Sequence, residues 1–170
     1  MIKVGLTGGI GSGKSTIAKV FENIGIPVYY TDNEAKILMN QDPIKSVIIK
    51  YFGDESYLNN QLNRNYIASI IFNDTEKLEL LNSIIHPPVS LHFLEWCEKQ
   101  NSPYLIQESA LTFESNLSKM LDVVIGVYSP KELRIERVMK RDNLNREDVL
   151  KRMDRQMNEE KKLGLCDYII

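Results

Sequence analysis

A glycine-rich segment that directly follows an apolar run constrains this sequence most. Residues Ile2–Thr7 are predominantly apolar and predict a strand, and the next nine residues read Gly-Gly-Ile-Gly-Ser-Gly-Lys-Ser-Thr, from Gly8 to Thr16. An amphipathic stretch, Ser15–Asn23, then predicts a helix. The order strand, glycine-rich turn and helix, with the spacing G-x-x-x-x-G-K-[ST], is typical of a phosphate-binding loop. The sequence therefore predicts a nucleoside triphosphate site at the start of an α/β fold.

Each residue type in this loop has a chemical reason. Glycines let the backbone curve around a phosphate and point N–H groups at its oxygens, and the start of the following helix adds the positive end of its dipole. Lys14 supplies a positive charge for the β- and γ-phosphates of a nucleoside triphosphate, and the Ser15 hydroxyl is placed to ligate Mg²⁺. The predicted nucleotide-binding residues of the loop are Gly8, Gly9, Gly11, Ser12, Gly13, Lys14, Ser15 and Thr16.

Other nucleotide-binding patterns do not fit this segment. A dinucleotide-binding G-x-G-x-x-G would need a glycine where Lys14 stands, and a protein kinase would also need H-R-D and D-F-G, which are absent. The guanine-reading N-K-x-D of GTPase switches does not occur either. Because phosphate loops serve switches, motors and kinases alike, a small phosphoryl transferase is the simplest interpretation, and a nucleotide-binding switch stays open.

Five short runs rich in Val, Ile, Leu and Tyr predict strands, and helical patterns separate them. The runs are Ile2–Thr7, Pro27–Thr31, Tyr104–Gln107, Asp122–Tyr128 and Asp167–Ile170. Their weak alternation is typical of strands that are covered on both faces. Strands that alternate with helices predict an α/β fold with a five-stranded parallel sheet sandwiched by helices.

A long helical stretch, residues 43–101, separates the second strand from the third and predicts a helical lobe. Helical patterns cover Pro43–Phe52, Arg64–Phe72 and Asp74–Ile85, and a further helix is expected to begin at Pro87-Pro88. The length of 170 residues favours a single domain over residues 1–170, with this lobe inside it. Before the lobe, Asp32 is a natural N-cap for a helix over Asp32–Asn40.

The charge of the chain is unevenly distributed. The chain has 21 Lys and Arg against 23 Asp and Glu, a net charge of −2 that argues against a general nucleic-acid binder. Residues 131–162 nevertheless hold 11 basic and 8 acidic residues, a net of +3, which leaves 10 and 15, a net of −5, for the rest. This segment fits either a helix pair laced with ion pairs or a surface that meets phosphate.

Further features of the sequence bear on its setting. No apolar run approaches the roughly 18 residues of a membrane span, and the N-terminus lacks the layout of a signal peptide. The two cysteines, Cys97 and Cys166, form no disulfide framework. We therefore expect a cytoplasmic protein with no membrane partner. Because the sequence stops on an apolar strand, we also expect the natural chain to continue into another helix.

Several further segments, taken with Thr7–Ser15, point to one family. They are Tyr30-Thr31-Asp32, Phe52-Gly53, Leu62-Asn63-Arg64, Ile71-Phe72, Leu81-Asn82-Ser83-Ile84-Ile85-His86-Pro87 and Cys166-Asp167-Tyr168-Ile169-Ile170. The basic region contributes Arg137, Arg141-Asp142, Arg152 and Gln156. With these motifs, essentially the whole chain resembles the dephospho-CoA kinases.

The resemblance implies a fold like that of the nucleoside monophosphate kinases. It also implies transfer of the ATP γ-phosphoryl group to the ribose 3′-hydroxyl of dephospho-CoA, the last step of coenzyme A synthesis. Residues 43–101 would then form the acceptor-binding lobe, and residues 131–162 the lid. A kinase for another small acceptor, a nucleoside monophosphate or shikimate, stays open as an alternative.

The resemblance also implies roles for individual residues. Asp32 would bind the acceptor and act in catalysis with Lys14 and Arg141, and Arg137 and Arg141 would contact ATP. Arg64 and His86 would bind the acceptor, and Ser15 would ligate the metal.

Each of these roles has a structural alternative. Asp32 would serve as a helix cap, Arg64 would form an ion pair, and His86 would be a structural histidine. Arg137 and Arg141 would lie on a solvated face, paired with Glu136 and Asp142. The other basic residues of the segment are interpreted as surface charge.

Two positions depart from the pattern of the family. Glu108 stands where the family usually has aspartate after its third strand, and its carboxylate is one methylene further from the backbone. Whether Glu108 contacts Mg²⁺ is left open. Asn63 replaces an acidic residue before Arg64. Neither change affects the phosphate loop or Asp32.

Overall fold

Five parallel strands organise the first of two units in the computed structural model, which describes residues 1–72 and 74–170. This unit comprises Met1–Tyr30 and Gln100–Ile170, and the second comprises Thr31–Lys99. The strands of the sheet are β1 (Ile2–Thr7), β2 (Val28–Tyr30), β5 (Tyr104–Glu108), β6 (Val123–Gly126) and β7 (Tyr168–Ile169). Their order is β2-β5-β1-β6-β7, and all neighbours are parallel. The prediction of a five-stranded parallel sheet is confirmed.

The central strand β1 pairs with β5 on one side and β6 on the other. Leu6 in β1 and Ile106 in β5 are fully buried, as expected for parallel strands whose two faces are covered by helices. The outer strand β7 differs, because Tyr168 and Ile169 are 63% and 55% exposed. Because successive residues of a strand point to opposite faces, the expectation that every strand is covered on both faces is wrong for β7.

Four helices belong to the unit that contains the sheet: α1 (Lys14–Asn23), α6 (Lys131–Asp142), α7 (Arg146–Asp154) and α8 (Glu159–Gly164). In α1, the fully buried Ala18 packs against the apolar side chains of β1. In α6, Ile135 and Val138 pack with Val149 of α7 in a second, fully buried cluster. The basic segment therefore folds around an apolar seam between α6 and α7.

The second unit is helical and has its own core. It contains α2 (Thr31–Leu38), α3 (Ile44–Phe52), α4 (Arg64–Ile71) and α5 (Thr75–Glu98), with a short hairpin formed by β3 (Tyr57–Leu58) and β4 (Gln61–Leu62). The buried side chains of this core are Ile44, Ile48, Phe52, Ile67 and Leu81. The helical patterns of residues 43–72 correspond to α3 and α4 within a residue or two at their ends.

The structure corrects two helix boundaries. Pro87 and Pro88 lie inside the 24-residue helix α5, so the expected break before Pro87 is wrong. Each proline removes one intrahelical hydrogen bond, but Val89 and Phe93, one turn apart beyond the prolines, are both buried and hold the helix in line. Helix α2 begins at Thr31, which places Asp32 within its first turn, so the expectation that Asp32 precedes the helix as its N-cap is also wrong.

In the described part of the chain, no helix is both long enough and apolar enough to cross a membrane.

Candidate active site

The loop between β1 and α1 has the geometry of an anion cradle. Gly13 precedes α1 with a φ of 105°, a left-handed conformation that glycine adopts without strain. Lys14 opens the helix and is only 8% exposed. Its Nζ donates a long hydrogen bond of 3.4 Å to the carbonyl oxygen of Gly9. The ammonium group is thereby held over the loop that precedes it.

A cavity of about 220 Å³ opens at the start of α1. It is lined by Gly11, Gly13, Lys14, Ser15, Thr16, Arg137, Val138 and Arg141. The first N–H groups of a helix have no partners within the helix, and the helix dipole favours an anion at this end. Three cationic side chains around the same cavity suit the phosphates of a nucleotide. The structure thus brings most of the predicted donor-site residues together.

The two predicted lid arginines differ in how they are held. The Nη1 atom of Arg137 donates to the carbonyl oxygens of Gly11 and Ser12 at 3.3 and 3.4 Å and to Ser129 Oγ at 3.1 Å. Arg137 is therefore anchored on the phosphate loop itself. Arg141 is 62% exposed and donates from Nε and Nη2 to the carboxylate of its neighbour Asp142.

Asp142 also accepts from Arg152, at 2.8 Å. The two arginines hold the pKa of Asp142 below its usual value, because they bind and stabilise its charged form. The alternative of an ion pair between Arg141 and Asp142 therefore describes what the structure shows for this side chain. The guanidinium of Arg141 thus borders the cavity from an exposed position.

The oxygen atoms beside the cavity suit a hard cation. Ser15 Oγ donates to Glu108 Oε1 at 3.4 Å, and Glu108 is 7% exposed at the carboxyl end of β5. Hydroxyl and carboxylate oxygens are the ligands that Mg²⁺ prefers, so these two side chains fit the ion that accompanies ATP. Within residues 1–72 and 74–170, no cluster of three or more His, Cys, Asp or Glu side chains forms a metal site.

Two basic residues that the sequence pattern assigned to the surface are buried. Arg134 is 6% exposed, and its Nη2 lies 2.7 Å from Glu159 Oε2. Lys162 has no exposed surface and donates to the carbonyl oxygen of Ala110 and to Glu114. The interpretation of both residues as surface charge is wrong.

The burial of Arg134 has a local cause. It stands beside Ile135 and four residues before Val138, both fully buried, so it lies on the inward face of α6. It packs against the phosphate loop, because a Cβ on Gly9 would lie 1.9 Å from Arg134 Nη1. The spacing of the apolar residues around Arg134 in α6 is the sequence signal from which this burial could have been predicted.

Gln156 also touches the loop. Its Oε1 accepts the backbone N–H of Ile10 at 2.8 Å. Gln156 was part of the family resemblance, but no role was predicted for it from the residues. Its contact with a segment 146 residues earlier is a tertiary feature that local patterns do not reveal.

The predicted acceptor residues lie on three helices of the second unit. Asp32 is in the first turn of α2, and Arg64 opens α4 as an exposed residue. His86 lies in α5, where burial lowers the pKa of its imidazole. Asn63 caps α4, because its side chain accepts the N–H of Tyr66 at 3.3 Å. Asn63, which replaces the acidic residue of the family, therefore serves as a helix cap, a role that Asn and Asp side chains share.

Comparisons with known proteins agree over the whole chain. The model of the CoaE family, dephospho-CoA kinase, matches residues 2–170. The dephospho-CoA kinase of Bacteroides fragilis is 37% identical over 171 residues, which cover 99% of this chain and 83% of that protein. The one from Porphyromonas gingivalis is 38% identical over 161 residues, which cover 94% and 80%.

Solved structures give the same result. Dephospho-CoA kinase from Campylobacter jejuni superposes with a TM-score of 0.70 at 30% identity, over 99% of this chain and 86% of that one. TT1252 from Thermus thermophilus reaches a TM-score of 0.88 at 34% identity over the same shares. A shikimate kinase from Acinetobacter baumannii, at a TM-score of 0.55 and 15% identity, shares the fold alone. The sheet order, the phosphate loop and these matches together place the chain in the dephospho-CoA kinase family.

Proposed function

We propose that this chain uses ATP to phosphorylate the ribose 3′-hydroxyl of dephospho-CoA, with coenzyme A and ADP as products. The observation that carries the proposal is the match of the dephospho-CoA kinase family across residues 2–170. A phosphotransferase of coenzyme A synthesis would work in the cytoplasm on this small-molecule substrate. The geometry around the phosphate loop supports the donor half of the reaction, in which the phosphates of ATP occupy the cavity at the start of α1.

The donor phosphates are assigned to the phosphate loop and its three cations. Lys14, held over the loop, would face the β- and γ-phosphates. Arg137, anchored on the carbonyls of the loop, would lie beside them. The exposed Arg141 would exchange its partner Asp142 for a phosphate oxygen and stabilise the charge that develops during transfer. Residues 131–162 would act as a lid that excludes water from the reaction.

The acceptor is assigned to residues 43–101 together with Asp32. An alcohol gains nucleophilic character when a carboxylate accepts or orients its proton, and Asp32 would do this for the 3′-hydroxyl. Arg64 would contact an acceptor phosphate through its guanidinium. His86 would donate a hydrogen bond from a neutral ring, because burial lowers its pKa.

The metal is assigned to Ser15, with Glu108 beside it. The Ser15 hydroxyl would ligate Mg²⁺, and the Glu108 carboxylate, 3.4 Å away, would accept hydrogen bonds from the water around the ion. Bound Mg²⁺ would neutralise part of the charge on the ATP phosphates.

The experiment that tests this proposal is an ADP-release assay with four acceptors. ATP and Mg²⁺ are supplied with dephospho-CoA, AMP, UMP or shikimate, and the rate is compared with that of ATP alone. We expect acceleration by dephospho-CoA only. Acceleration by AMP or shikimate alone would overturn the assigned acceptor and leave a kinase. Slow hydrolysis with no response to any acceptor would instead indicate a nucleotide-binding switch.

A further inference from the structure

One peptide group of the phosphate loop connects Gln156 to Lys14. The Gly9–Ile10 peptide donates its N–H to Gln156 Oε1 at 2.8 Å, and its carbonyl oxygen accepts from Lys14 Nζ at 3.4 Å and from the N–H of Ser12 at 3.1 Å. A peptide unit is planar, and in its trans form the N–H and C=O point in opposite directions. The group that holds the N–H therefore also sets the direction of the carbonyl that Lys14 contacts.

The Gly9–Ile10 peptide is packed from a second direction. The buried Arg134 and the partly exposed Glu159 form an ion pair of 2.7 Å beside Gly9. A Cβ on Gly9 would lie 1.9 Å from Arg134 Nη1 and 3.2 Å from Glu159 Oε1, so the pair occupies the space that a side chain would need. The ion pair therefore packs directly against Gly9, and the hydrogen bond that the Ile10 N–H donates to Gln156 Oε1 favours one orientation of the peptide.

The segment that carries Gln156 is itself fixed. The backbone N–H of Gln156 donates to the carbonyl oxygen of Met153 at 3.0 Å, at the end of α7. The next residue, Met157, donates its N–H to Glu114 Oε1 at 2.9 Å. Glu114 also pairs with the fully buried Lys162 at 2.9 Å. The backbone at Gln156 and at the following residue is thus fixed by hydrogen bonds, and the Gln156 side chain reaches the loop from this fixed position.

We propose that Gln156 is a positioning residue that acts on the ammonium group of Lys14 through the Gly9–Ile10 peptide. Its side-chain carbonyl fixes the N–H of that peptide, and the carbonyl on the other side of the same plane then holds Lys14 Nζ over the loop. Gln156 itself contacts no phosphate in this proposal. The inference rests on the proposed function to the extent that the loop binds the phosphates of ATP.

A double-mutant cycle on ATP affinity tests this inference without an acceptor. Gln156→Leu keeps the size of the side chain and removes the acceptor, and we expect about 10-fold weaker ATP binding by isothermal titration, as for the loss of one hydrogen bond. In a Lys14→Ala background, the same substitution is expected to weaken ATP binding by less than about 2-fold, because the path through Lys14 is already absent. Gln156→Glu, which still presents an oxygen acceptor, is expected to recover most of the affinity at saturating Mg²⁺.

Arg155→Ala is the matched control, since it removes an exposed charge beside Gln156. It is expected to change ATP affinity by less than about 2-fold in both backgrounds. Equal losses for Gln156→Leu with and without Lys14 would overturn the inference, as would no loss at all. If Gln156→Leu does not fold, as judged by thermal unfolding, Gln156→Met takes its place in the cycle. Absence of ATP binding by the wild-type chain would count against the proposed function instead.

Discussion

Charged side chains around the phosphate loop differ in how far water reaches them. Lys14 and Arg134 are 8% and 6% exposed, whereas the Arg141 side chain is 62% exposed. A buried cation keeps its place because moving it would leave its partners unpaired, and an exposed one exchanges partners at small cost. Lys14 is therefore preorganised for phosphate, and Arg141 is free to move toward it.

Replacement of Lys14 tests the donor site most directly. We expect Lys14→Ala to lower kcat by at least about 10²-fold in the ADP-release assay with dephospho-CoA, because a preorganised charge at the transferring phosphoryl group is lost. Arg155→Ala serves as the control and is expected to change kcat little. A loss of less than 10-fold in Lys14→Ala would contradict the role assigned to Lys14.

Replacement of Asp32 tests the acceptor side. Asp32→Asn keeps the shape of the side chain in the first turn of α2 and removes its ability to accept the proton of an alcohol. We expect kcat to fall by at least about 10²-fold, with thermal unfolding close to that of the wild-type chain. Near-normal turnover would show that Asp32 serves the helix alone.

The histidine in α5 gives a prediction about pH. Burial lowers the pKa of His86 below its ordinary value of 6.5, so the unfolded chain binds a proton more readily than the folded one. The stability that the neutral ring contributes is therefore present above pH 6.5 and is lost as the pH falls from there through the lowered pKa. Urea unfolding at pH 7.5 and 5.5 is expected to show a larger loss for the wild-type chain than for His86→Gln. Equal losses of unfolding free energy in the two proteins would contradict a lowered pKa for His86.

Helix α8 is held partly by the ion pair of a fully buried lysine, in addition to the pair of Glu159 with Arg134. Lys162, fully buried in α8, lies 2.9 Å from Glu114, which precedes β6. Glu114 also accepts the N–H of Met157 just before α8 begins. A single carboxylate thus holds both the start and the buried cation of this helix.

Removal of that carboxylate is expected to be costly. Glu114→Ala leaves the charge of Lys162 buried without its acid, and we expect the free energy of unfolding to fall by about 3 kcal/mol in urea titrations. The double variant Glu114→Ala with Lys162→Met is expected to recover part of the loss, because no charge is then left unpaired. A loss below about 1 kcal/mol in the single variant would indicate that water reaches Lys162.

The pH dependence of the same pair follows from its geometry. Burial acts to raise the pKa of Glu114, but the hydrogen bonds from Met157 N–H and Lys162 outweigh it and hold the pKa below its ordinary value of 4.5. A lowered carboxyl pKa contributes stability that is present above pH 4.5 and is lost as the pH falls through the lowered value. This loss is expected to be absent in Glu114→Ala.

Local patterns predicted the elements better than their connections. Ala18 lies on the apolar face of the stretch that predicts α1, and the five strands of the sheet are recognisable within a residue or two at most ends. The β3–β4 hairpin and the separate helices within residues 131–162 are not recognisable from such patterns. The helix through Pro87 was missed, because tertiary packing on both sides of the proline overrides its local preference.

The candidate site also combines local features, which the sequence predicts, with contacts between distant residues, which it does not. The loop from Gly8 to Thr16 could be recognised from the sequence because its contacts are local. The pair of Arg134 and Glu159 could not, since its two members are distant in sequence and meet only when the chain folds. Gln156 reaches the loop across 146 residues, so its hydrogen bond is also beyond any local pattern.

For the molecule as a whole, many basic residues of the segment 131–162 are neutralised by ion pairs with acidic residues of the same segment. Arg134 pairs with Glu159, Arg146 with Glu132, and both Arg141 and Arg152 with Asp142. Ion pairs of this kind neutralise much of the positive charge, which agrees with the interpretation of the segment as helices laced with ion pairs. Arg137 and Arg141 nevertheless lie at the cavity beside the phosphate loop.

Nucleotide binding is expected to stabilise the whole chain. A ligand that binds only the folded state at 100 times its Kd adds about 2.7 kcal/mol to the free energy of unfolding. Thermal unfolding with ATP and Mg²⁺ is therefore expected to occur at a higher temperature than without them, and the shift should largely vanish in Lys14→Ala. A shift of equal size in that variant would show that ATP binds elsewhere.

The strand order has a consequence for the synthesis of the chain. Strand β1 leaves the ribosome well before its partners β5, where Ile2 pairs with Tyr104, and β6, where Thr7 pairs with Gly126. The helices of Thr31–Lys99 are contiguous in sequence and need no such distant partner. Contacts between residues that are distant in sequence form slowly. We therefore expect the helical unit to fold before β1 has paired with β5 and β6. The nucleotide-binding loop, which directly follows β1, would then be among the last parts of the molecule to take shape.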